Sequence, residues 1–311
     1  MFSGEIAYIN CPACYCSRVS NKGALPIPNS VFGELRKDFL EPGELFHCLN
    51  CDLYFRYPYL SEVTLQKLYE NMPLDSWGDR SEDRYWVVIH KLAKLYAANR
   101  SILDVGCFRG HFLKVFSKDW HKMGIELNKM ARKEAEASGI EFIDDTPQHI
   151  LSVSGSVGII TIIDVLEHIV DPFQFIKPFV KMLAPNGSII IATGAADSFL
   201  FKIFGCNYWY CGLPEHVSFF TLRWFRWTAN QLGLSVAYFR YVPSQERGLS
   251  SLCAGFIKLC IYALVKHFPP SGCFRSSLLK LPLFSRIANW KYPSSSIRGA
   301  KDHIVIVLKK S

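Results

Sequence analysis

The opening Met1-Phe2-Ser3-Gly4-Glu5 has no basic stretch leading into an apolar run, so no secretory leader is expected. No apolar stretch is long and clean enough to read as a membrane span. The most apolar one, Leu249–Phe268, is interrupted by Lys258 and Lys266. Its longest uncharged run falls well short of the ~18 residues that indicate a spanning helix. Internal repeats and low-complexity tracts are missing too, which removes solenoids and disordered linkers from consideration. Residues 1–60 carry no basic cluster with interleaved aromatics, which weighs against a nucleic-acid-binding module.

What is present is apolar and rich in cysteine. Half of the 311 residues are hydrophobic and 14% are aromatic, enough for one large core and one small one. Four of the eleven cysteines form two pairs, Cys11-Pro12-Ala13-Cys14 and Cys48-Leu49-Asn50-Cys51. With no leader expected, a reducing cytoplasm and metal ligation are favoured over a disulfide framework. Two such pairs supply four thiolates, the ligand set of a closed tetrahedral zinc site that holds structure and does no chemistry. Cys16 is a weaker substitute ligand. A redox pair or plain buried cysteines are the alternatives.

Charge is unevenly spread. Residues 1–242 hold 24 Lys/Arg against 25 Asp/Glu, and residues 243–311 hold 11 against 2, a net +9. That tail predicts an anionic partner, whether membrane surface, phosphorylated substrate or nucleic acid, or else a solvated basic face. Leu249–Phe268 reads as an in-plane or packed helix, which the adjoining charge can hold against anionic lipid.

Between these ends strands and helices alternate. Helical patterns cover a run starting at Ser61 and residues 84–98. Short apolar strands at Ser101–Val105, Lys122–Leu127, Ile140–Ile143, Val157–Ile163 and Ser188–Thr193 are separated by helices from Phe112, over Lys129–Ser138 and over Pro172–Leu183. Ala184–Gly187 reads as a turn, Leu222–Leu232 as a helix, and Leu234–Val242 and His303–Leu308 as the last two strands. The expected fold class is α/β: a Rossmann-like doubly wound sheet, mostly parallel with an antiparallel last strand, plus a small N-terminal zinc ribbon. The expected divisions are a zinc-ribbon-like module over 1–60 and a helical linker and lid over 61–100. The main domain follows over 101–242 and 302–311, with a basic, partly apolar helical insertion over 243–301.

The strand at Ser101–Val105 runs into Gly106-Cys107-Phe108-Arg109-Gly110, a glycine turn that opens a helix. Gly106 and Gly110 let backbone approach a ligand. Asp104 precedes the turn. Glu126 closes the next strand, where an acid can accept from both ribose hydroxyls, and Leu127 beside it is placed to pack on a base. A dinucleotide fingerprint fails, because Phe108 and His111 stand where it requires glycine.

The glycine loop, Glu126, the stretch VGIITIIDVLEHIVDP over Val157–Pro172 and LAPNG over Leu183–Gly187 together resemble the class I S-adenosylmethionine-dependent methyltransferases. The resemblance spans roughly 80–242 and 302–310. It implies that Asp104–Gly110 surrounds the methionine moiety, that Glu126 holds the ribose, that Asp145 (or less favourably Asp144) lies near the adenine amine, and that Asp164 borders the methyl-donor pocket. The middle glycine of the family's loop is Phe108 here. The cysteine module and the following HCLNCDLYFRYPYLSEVTLQKLYE are similar to the N-terminal region of a subgroup whose members methylate sugar carbons. Its relatives modify surface glycans or secondary metabolites.

Beyond the fifth strand of the alternation lies Trp209-Tyr210-Cys211-Gly212-Leu213-Pro214-Glu215-His216. Adjacent Glu215 and His216 in an aromatic setting suit general-base work, and similarity to the sugar C-methyltransferases adds Tyr210. The alternative is a segment that merely orders the loop and caps the next helix. His168 reads equally as a functional or a satisfied helix-start histidine.

These readings converge on an enzyme with S-adenosylmethionine and zinc as its cofactors. It is expected to methylate carbon or oxygen of a small acceptor, such as a nucleotide-linked sugar or surface glycan precursor. No nucleic-acid partner is expected. The expected location is the cytoplasm, with peripheral contact at the inner membrane face through 249–268. The rival classes are a zinc-ribbon nucleic-acid-binding protein and a membrane-attached scaffold, each on a vestigial methyltransferase fold.

Overall fold

The computed structural model describes residues 9–26, 43–74, 84–143, 153–243 and 301–310, with scattered residues between 248 and 280. Three N-terminal strands come first: β1 (Val19–Ala24), β2 (Glu44–Cys48) and β3 (Tyr54–Tyr57). Helix α1 (Glu62–Glu70) follows, its N-cap Ser61 accepting from the Thr64 N–H. Then come α2 (Arg84–Tyr96), β4 (Ser101–Val105), the short α3 (His111–Lys114), β5 (His121–Ile125), α4 (Lys129–Glu136), β6 (Glu141–Phe142) and β7 (Val157–Ile163). The chain continues with α5 (Pro172–Met182), β8 (Leu183–Gly194), α6 (Phe199–Phe204), β9 (Ser218–Phe219), α7 (Leu222–Gln231), β10 (Leu234–Val242) and β11 (His303–Lys310).

Seven strands form one sheet in the order β10-β11-β8-β7-β4-β5-β6. Neighbours from β8 to β6 are parallel, and β11 runs antiparallel to both β8 and β10. The antiparallel last strand was expected. Both faces of this sheet are buried, so its strands are continuously apolar. Alternate residues go to opposite faces. Leu103, Ile160, Ile189, Ile191, Ile304 and Ile306 meet α5 and α7, while Ile102, Ile159, Ile190, Val305 and Val307 meet α2 and α3. Order reverses beside β4, whose partners are β5 on one side and β7 on the other. That switch point, at the carboxyl ends of the strands, is where such sheets bind ligands.

Two local expectations are corrected. The helix begun at Phe112 lasts one turn, with a cap at Val115. The turn expected at Ala184–Gly187 is carried inside β8: Val157 pairs with Leu183, Ile159 with Ser188, and the extra residues bulge out with Asn186 at φ 61°.

The N-terminal strands form a second sheet, β1-β2-β3-β9. Its fourth strand comes from far down the chain, where Tyr54 and Phe55 pair with Phe219 and Ser218. The cysteine module therefore shares a sheet with the segment before α7. Of residues 243–301 the structure describes little beyond helix within 253–261. Most of Leu249–Phe268 and its lipid contact thus lie outside the described residues. Among those described, no helix is long and apolar enough to cross a membrane.

Asn128 joins the two ends of the ligand region. Its Oδ1 caps α4 by accepting from the Met130 and Ala131 N–H groups, and its Nδ2 donates to the Tyr69 carbonyl in the last turn of α1 and the Met72 carbonyl just beyond it. Serine keeps the cap and lacks the amide donor. Asn128→Ser is therefore expected to leave global stability within about 0.5 kcal/mol, whereas Asn128→Ala costs about 1 kcal/mol more through the lost cap. Both variants should speed amide hydrogen exchange in α1. Unchanged exchange there in Asn128→Ser would show that the clasp does not hold the helix.

Candidate active site

A cavity of about 540 Å³ opens at the switch point. It is lined by the β4–α3 loop, the ends of β5 and β7, the turn after β7 and the inner face of α1. The loop needs backbone that few side chains tolerate. Gly106 has φ 76° and its missing Cβ would sit 2.4 Å from Val165 Cγ2, while Gly110 has φ 71° and would meet Ile140 Cδ1 at 2.1 Å. Phe108 also lies at positive φ, 47°. A phenylalanine thus takes the left-handed conformation usually left to glycine, at a cost of about 1–2 kcal/mol. Part of the return is one contact: the Phe108 N–H donates to Glu126 Oε2 at 2.8 Å.

Glu126 receives a second backbone donor, the Asn128 N–H at 2.8 Å to Oε1. Its carboxylate is thereby aimed into the cavity with one lone pair of each oxygen in use. Burial raises its pKa and the backbone donors oppose the rise. Asp104 is buried at the end of β4 and accepts from Thr161 Oγ1 at 2.6 Å. Burial pushes it up to about 7 against that hydrogen bond, with Glu126 adding to the rise. Leu127 lies at the wall, 44% exposed. Asp164, at φ 52°, borders the cavity and accepts from the Tyr85 hydroxyl, with His303 Nε2 3.9 Å away. The structure therefore brings Asp104, Gly106, Glu126, Leu127 and Asp164 to one cavity, whereas Gly110 is not on its lining and packs against Ile140. Asp145, and Asp144 beside it, lie outside the described residues.

Tyr210, Glu215 and His216 stand behind the wall rather than on it. His168 does line the cavity, as does His111 at the start of α3. His168 Nδ1–H donates to the Glu215 carbonyl at 3.1 Å, and His216 Nδ1–H donates to the Tyr210 carbonyl at 3.1 Å. A carbonyl only accepts, so Nδ1 carries a proton in both rings. Their rings lie 4.8 Å apart. Burial, with His168 adding to it, holds His216 well below its ordinary pKa, so its ring is neutral with the lone pair on Nε2. Glu215 and Tyr210 thus serve the histidines through main-chain oxygens, a role that side-chain chemistry does not announce.

Sequence reasoning passed over Glu167, Thr193, Tyr85 and His303. Glu167 is buried and accepts from the Tyr210 hydroxyl at 2.6 Å and Thr193 Oγ1 at 2.8 Å. Burial and nearby Asp164 push it up to about 7, against the Tyr210 hydrogen bond. Burial opposes charge on His303, yet the hydrogen bond from its Nδ1 to Asp302, joined by Asp164 and Glu167, carries its pKa above the ordinary value. An acid immediately before His168, at the carboxyl end of a buried strand, was the available signal for Glu167. His303 opens the last strand and carries no local signal. Ligand atoms of Glu167, His168 and His216 lie within 4.8 Å of one another, close enough to hold a divalent cation.

The four paired cysteines meet in the N-terminal module, Cys11 Sγ 3.6 Å from Cys51 Sγ and Cys14 Sγ 3.5 Å from Cys48 Sγ. A tetrahedral zinc–thiolate site with bonds of about 2.3 Å has sulfur–sulfur edges of about 3.8 Å, so the donor set fits zinc. The two knuckles match: Tyr15 and Asp52, each four residues past the first cysteine of its pair, have positive φ and donate N–H to that cysteine's carbonyl. Cys16 lies outside the four-cysteine group.

Glu215 offers a stability test. Burial lifts its carboxyl from 4.5 to about 7, and its Oε2 has no hydrogen-bond partner among the described residues. A raised carboxyl costs nothing below pH 4.5, where both folded and unfolded states are protonated. The cost grows as pH rises towards 7 and is complete above it, reaching about 3 kcal/mol. Glu215→Gln is therefore expected to stabilise the protein by a few kcal/mol at pH 8 and by little at pH 4.5 in urea unfolding. Equal effects at both pH values would mean that the carboxylate finds a partner when charged.

Several known proteins are similar to this chain over part of its length. A ubiquinone biosynthesis O-methyltransferase of Psychrobacter cryohalolentis is 30% identical over 159 residues, covering 45% of this chain and 61% of its own. A namesake from Psychrobacter arcticus is 31% identical over 133 residues, covering 38% and 51%. The chain thus spans little more than half the length of these relatives. The crystal structure of a SAM-dependent methyltransferase from Archaeoglobus fulgidus superposes with a TM-score of 0.48 at 14% identity, covering 80% of this chain and 100% of the other. The profile of a family described as "Methyltransferase domain" matches residues 80–238. With just over half of its length so matched, the chain belongs to the methyltransferase domain family.

Proposed function

We propose that the protein transfers the methyl group of S-adenosylmethionine to a small acceptor. The observation that carries this reading is the Glu126 carboxylate, held by two backbone N–H groups on the wall of a cavity that continues to a buried histidine pair. When bound, S-adenosylmethionine supplies an electrophilic methyl group on a sulfonium. Glu126 is set to receive the ribose hydroxyls, and Gly106 and Gly110 keep the loop clear of side chains. Asp104 and Asp164 stand on the methionine side, Leu127 on the side of the base, and Asp145 is assigned near the adenine amine by resemblance.

A neutral C–H offers no lone pair and an alcohol is a weak nucleophile, so the acceptor must lose a proton for either C- or O-methylation. His168 at the wall and His216 behind it are the groups for that proton. Glu215 and Tyr210 orient them, and Glu167 offers a further place for the proton. Opposite the cofactor loop the wall presents Leu65, Tyr69 and Met72, with Gln66, Asp171 and Gln174 also on the lining. A sugar uses both kinds of surface, stacking its C–H face on Tyr69 and binding hydroxyls to the amides and the acid. A hydroxylated apolar ring uses chiefly the first. The apolar wall and the names of the relatives favour keeping this second acceptor class. The four cysteines are assigned a structural zinc.

Three outcomes are expected. Glu126→Ala weakens S-adenosylmethionine binding by about 1–3 kcal/mol in isothermal calorimetry, and an unchanged affinity would remove Glu126 from the site. His168→Ala and His216→Ala each lower turnover about a hundredfold or more while donor affinity stays within twofold of wild type. Mass spectrometry of candidate sugar and phenolic acceptors for a methyl-sized gain provides the assay, and near-normal turnover in both variants would return the segment to a structural role. Elemental analysis should find one zinc per chain, and zinc-free protein with intact cysteines would sink the metal assignment.

A further inference from the structure

The loop that orients both histidines is held from outside its own domain. Arg56, on β3, is 3% exposed. Its Nε donates to the His216 carbonyl at 3.1 Å, and its Nη2 donates to the Cys211 and Leu213 carbonyls at 2.6 and 3.1 Å. Its backbone N–H donates to the Val217 carbonyl at 2.9 Å. One residue thus grips the loop at four carbonyls between 211 and 217. Within that span lies the Glu215 carbonyl that fixes His168, and just before it lies the Tyr210 carbonyl that fixes His216. The grip continues on both sides. The Val217 N–H donates to the Glu167 carbonyl at 2.8 Å, Ser218 Oγ donates to the Ile169 carbonyl at 2.8 Å, and Thr221 Oγ1 donates to Asp52 Oδ2 at 2.8 Å. Asp52 is the positive-φ residue of the second cysteine knuckle.

We propose that Arg56 is a positioning residue: through it the cysteine module sets the tautomer and orientation of His168 and His216. The guanidinium suits the task. It is planar, permanently charged and presents several donors in a fixed fork, so it can span carbonyls at three positions of a curved loop. A lysine ammonium brings the same charge on a single nitrogen and cannot hold all three in place. Without the grip the carbonyls of 210 and 215 drift, and a neutral imidazole reverts to a mixture of Nδ1–H and Nε2–H forms. His168 then presents a lone pair or an N–H at random to the cavity, and His216 does so behind its wall.

The proposal rests on the base assignment above only for its effect on turnover, and its primary test is independent of it. The protein is the full chain labelled with [15N]histidine and saturated with S-adenosylmethionine. It is compared as wild type, Arg56→Met and Arg56→Lys, with imidazole signals assigned through His168→Gln and His216→Gln. The wild type is expected to show both rings as pure Nδ1–H tautomers at pH 7.5. Arg56→Met should show mixed tautomers at both rings, with S-adenosylmethionine affinity within twofold of wild type and turnover at least tenfold lower on any acceptor found. Arg56→Lys should show the same mixing, and it carries the test should Arg56→Met fail to fold. Wild-type tautomers in either folded variant overturn the proposal. They would mean that Arg56 only stabilises the module, a role that lowers the melting temperature and leaves the imidazole signals alone. If His168→Ala and His216→Ala keep normal turnover while Arg56→Met still mixes the tautomers, the base assignment fails and the positioning role stands.

Discussion

The constraint on which the site depends is the burial of acid. Asp104, Glu126, Asp164 and Glu167 converge at the carboxyl ends of β4, β5 and β7. Burial raises three of them, Asp104 and Glu167 to about 7. Carboxylates out of water must be given donors or stay protonated. The surrounding chain is shaped to give them: backbone N–H groups of Phe108 and Asn128 for Glu126, Thr161 for Asp104, the Tyr85 hydroxyl for Asp164, and Tyr210 with Thr193 for Glu167. The positive φ of Gly106, Phe108, Gly110 and Asp164 follows from the same demand. A loop that turns its N–H groups and its acids towards one cavity cannot stay in the ordinary helical or extended regions.

The donor half of this arrangement was legible in the sequence because it is local. Strand, glycine turn and helix occupy consecutive residues, and Glu126 is reached by adding one βα unit. Val157–Ile163 appears as a strand with the expected bounds, since a run of five Val and Ile residues broken only by Gly158 and Thr161 in a doubly covered sheet has no amphipathic pattern to misread. The two Cys-x-x-Cys pairs were equally plain, spacing being all that a metal knuckle requires. Phe108 shows the limit of reading residue types. At that position the backbone conformation is retained and the glycine is not, because a hydrogen bond to Glu126 offsets the cost.

The acceptor half was legible in part, for a physical reason. His216 and Glu215 were singled out as side chains, yet Glu215 and Tyr210 touch the histidines through carbonyls that every residue type carries. His303 and Tyr85 reach Asp164 from 139 and 79 residues away in sequence, distances at which no periodicity speaks. The strand β9 has only two residues and exists because β3 is beside it. The bulge inside β8 was read as a turn because Ala184-Pro185-Asn186-Gly187 has turn chemistry. Pairing on both sides of it keeps the strand continuous.

The division between local and long-range construction corresponds to a division of labour. Residues 80–238, shared with the methyltransferase domain family, hold the glycine loop, Glu126, Asp164 and the histidines. Arg56, Asp52, Tyr15 and the roof helix α1 all precede that span. Each acts on the acceptor side: Arg56 on the loop of 211–217, Asp52 on Thr221, Tyr15 through its hydroxyl on Asp171, which caps α5 and lines the cavity, and α1 by closing the wall with Leu65 and Tyr69. Both knuckles of the cysteine module place their positive-φ residue, Tyr15 or Asp52, on one of these contacts. A module with little core of its own can hold such contacts rigidly only if something other than packing fixes its knuckles, and the structural zinc proposed for the four thiolates would do so. Under the proposed function, the N-terminal module belongs to the acceptor site as much as to the fold, and changes in it are expected to alter which acceptor is used while the donor site stays as it is.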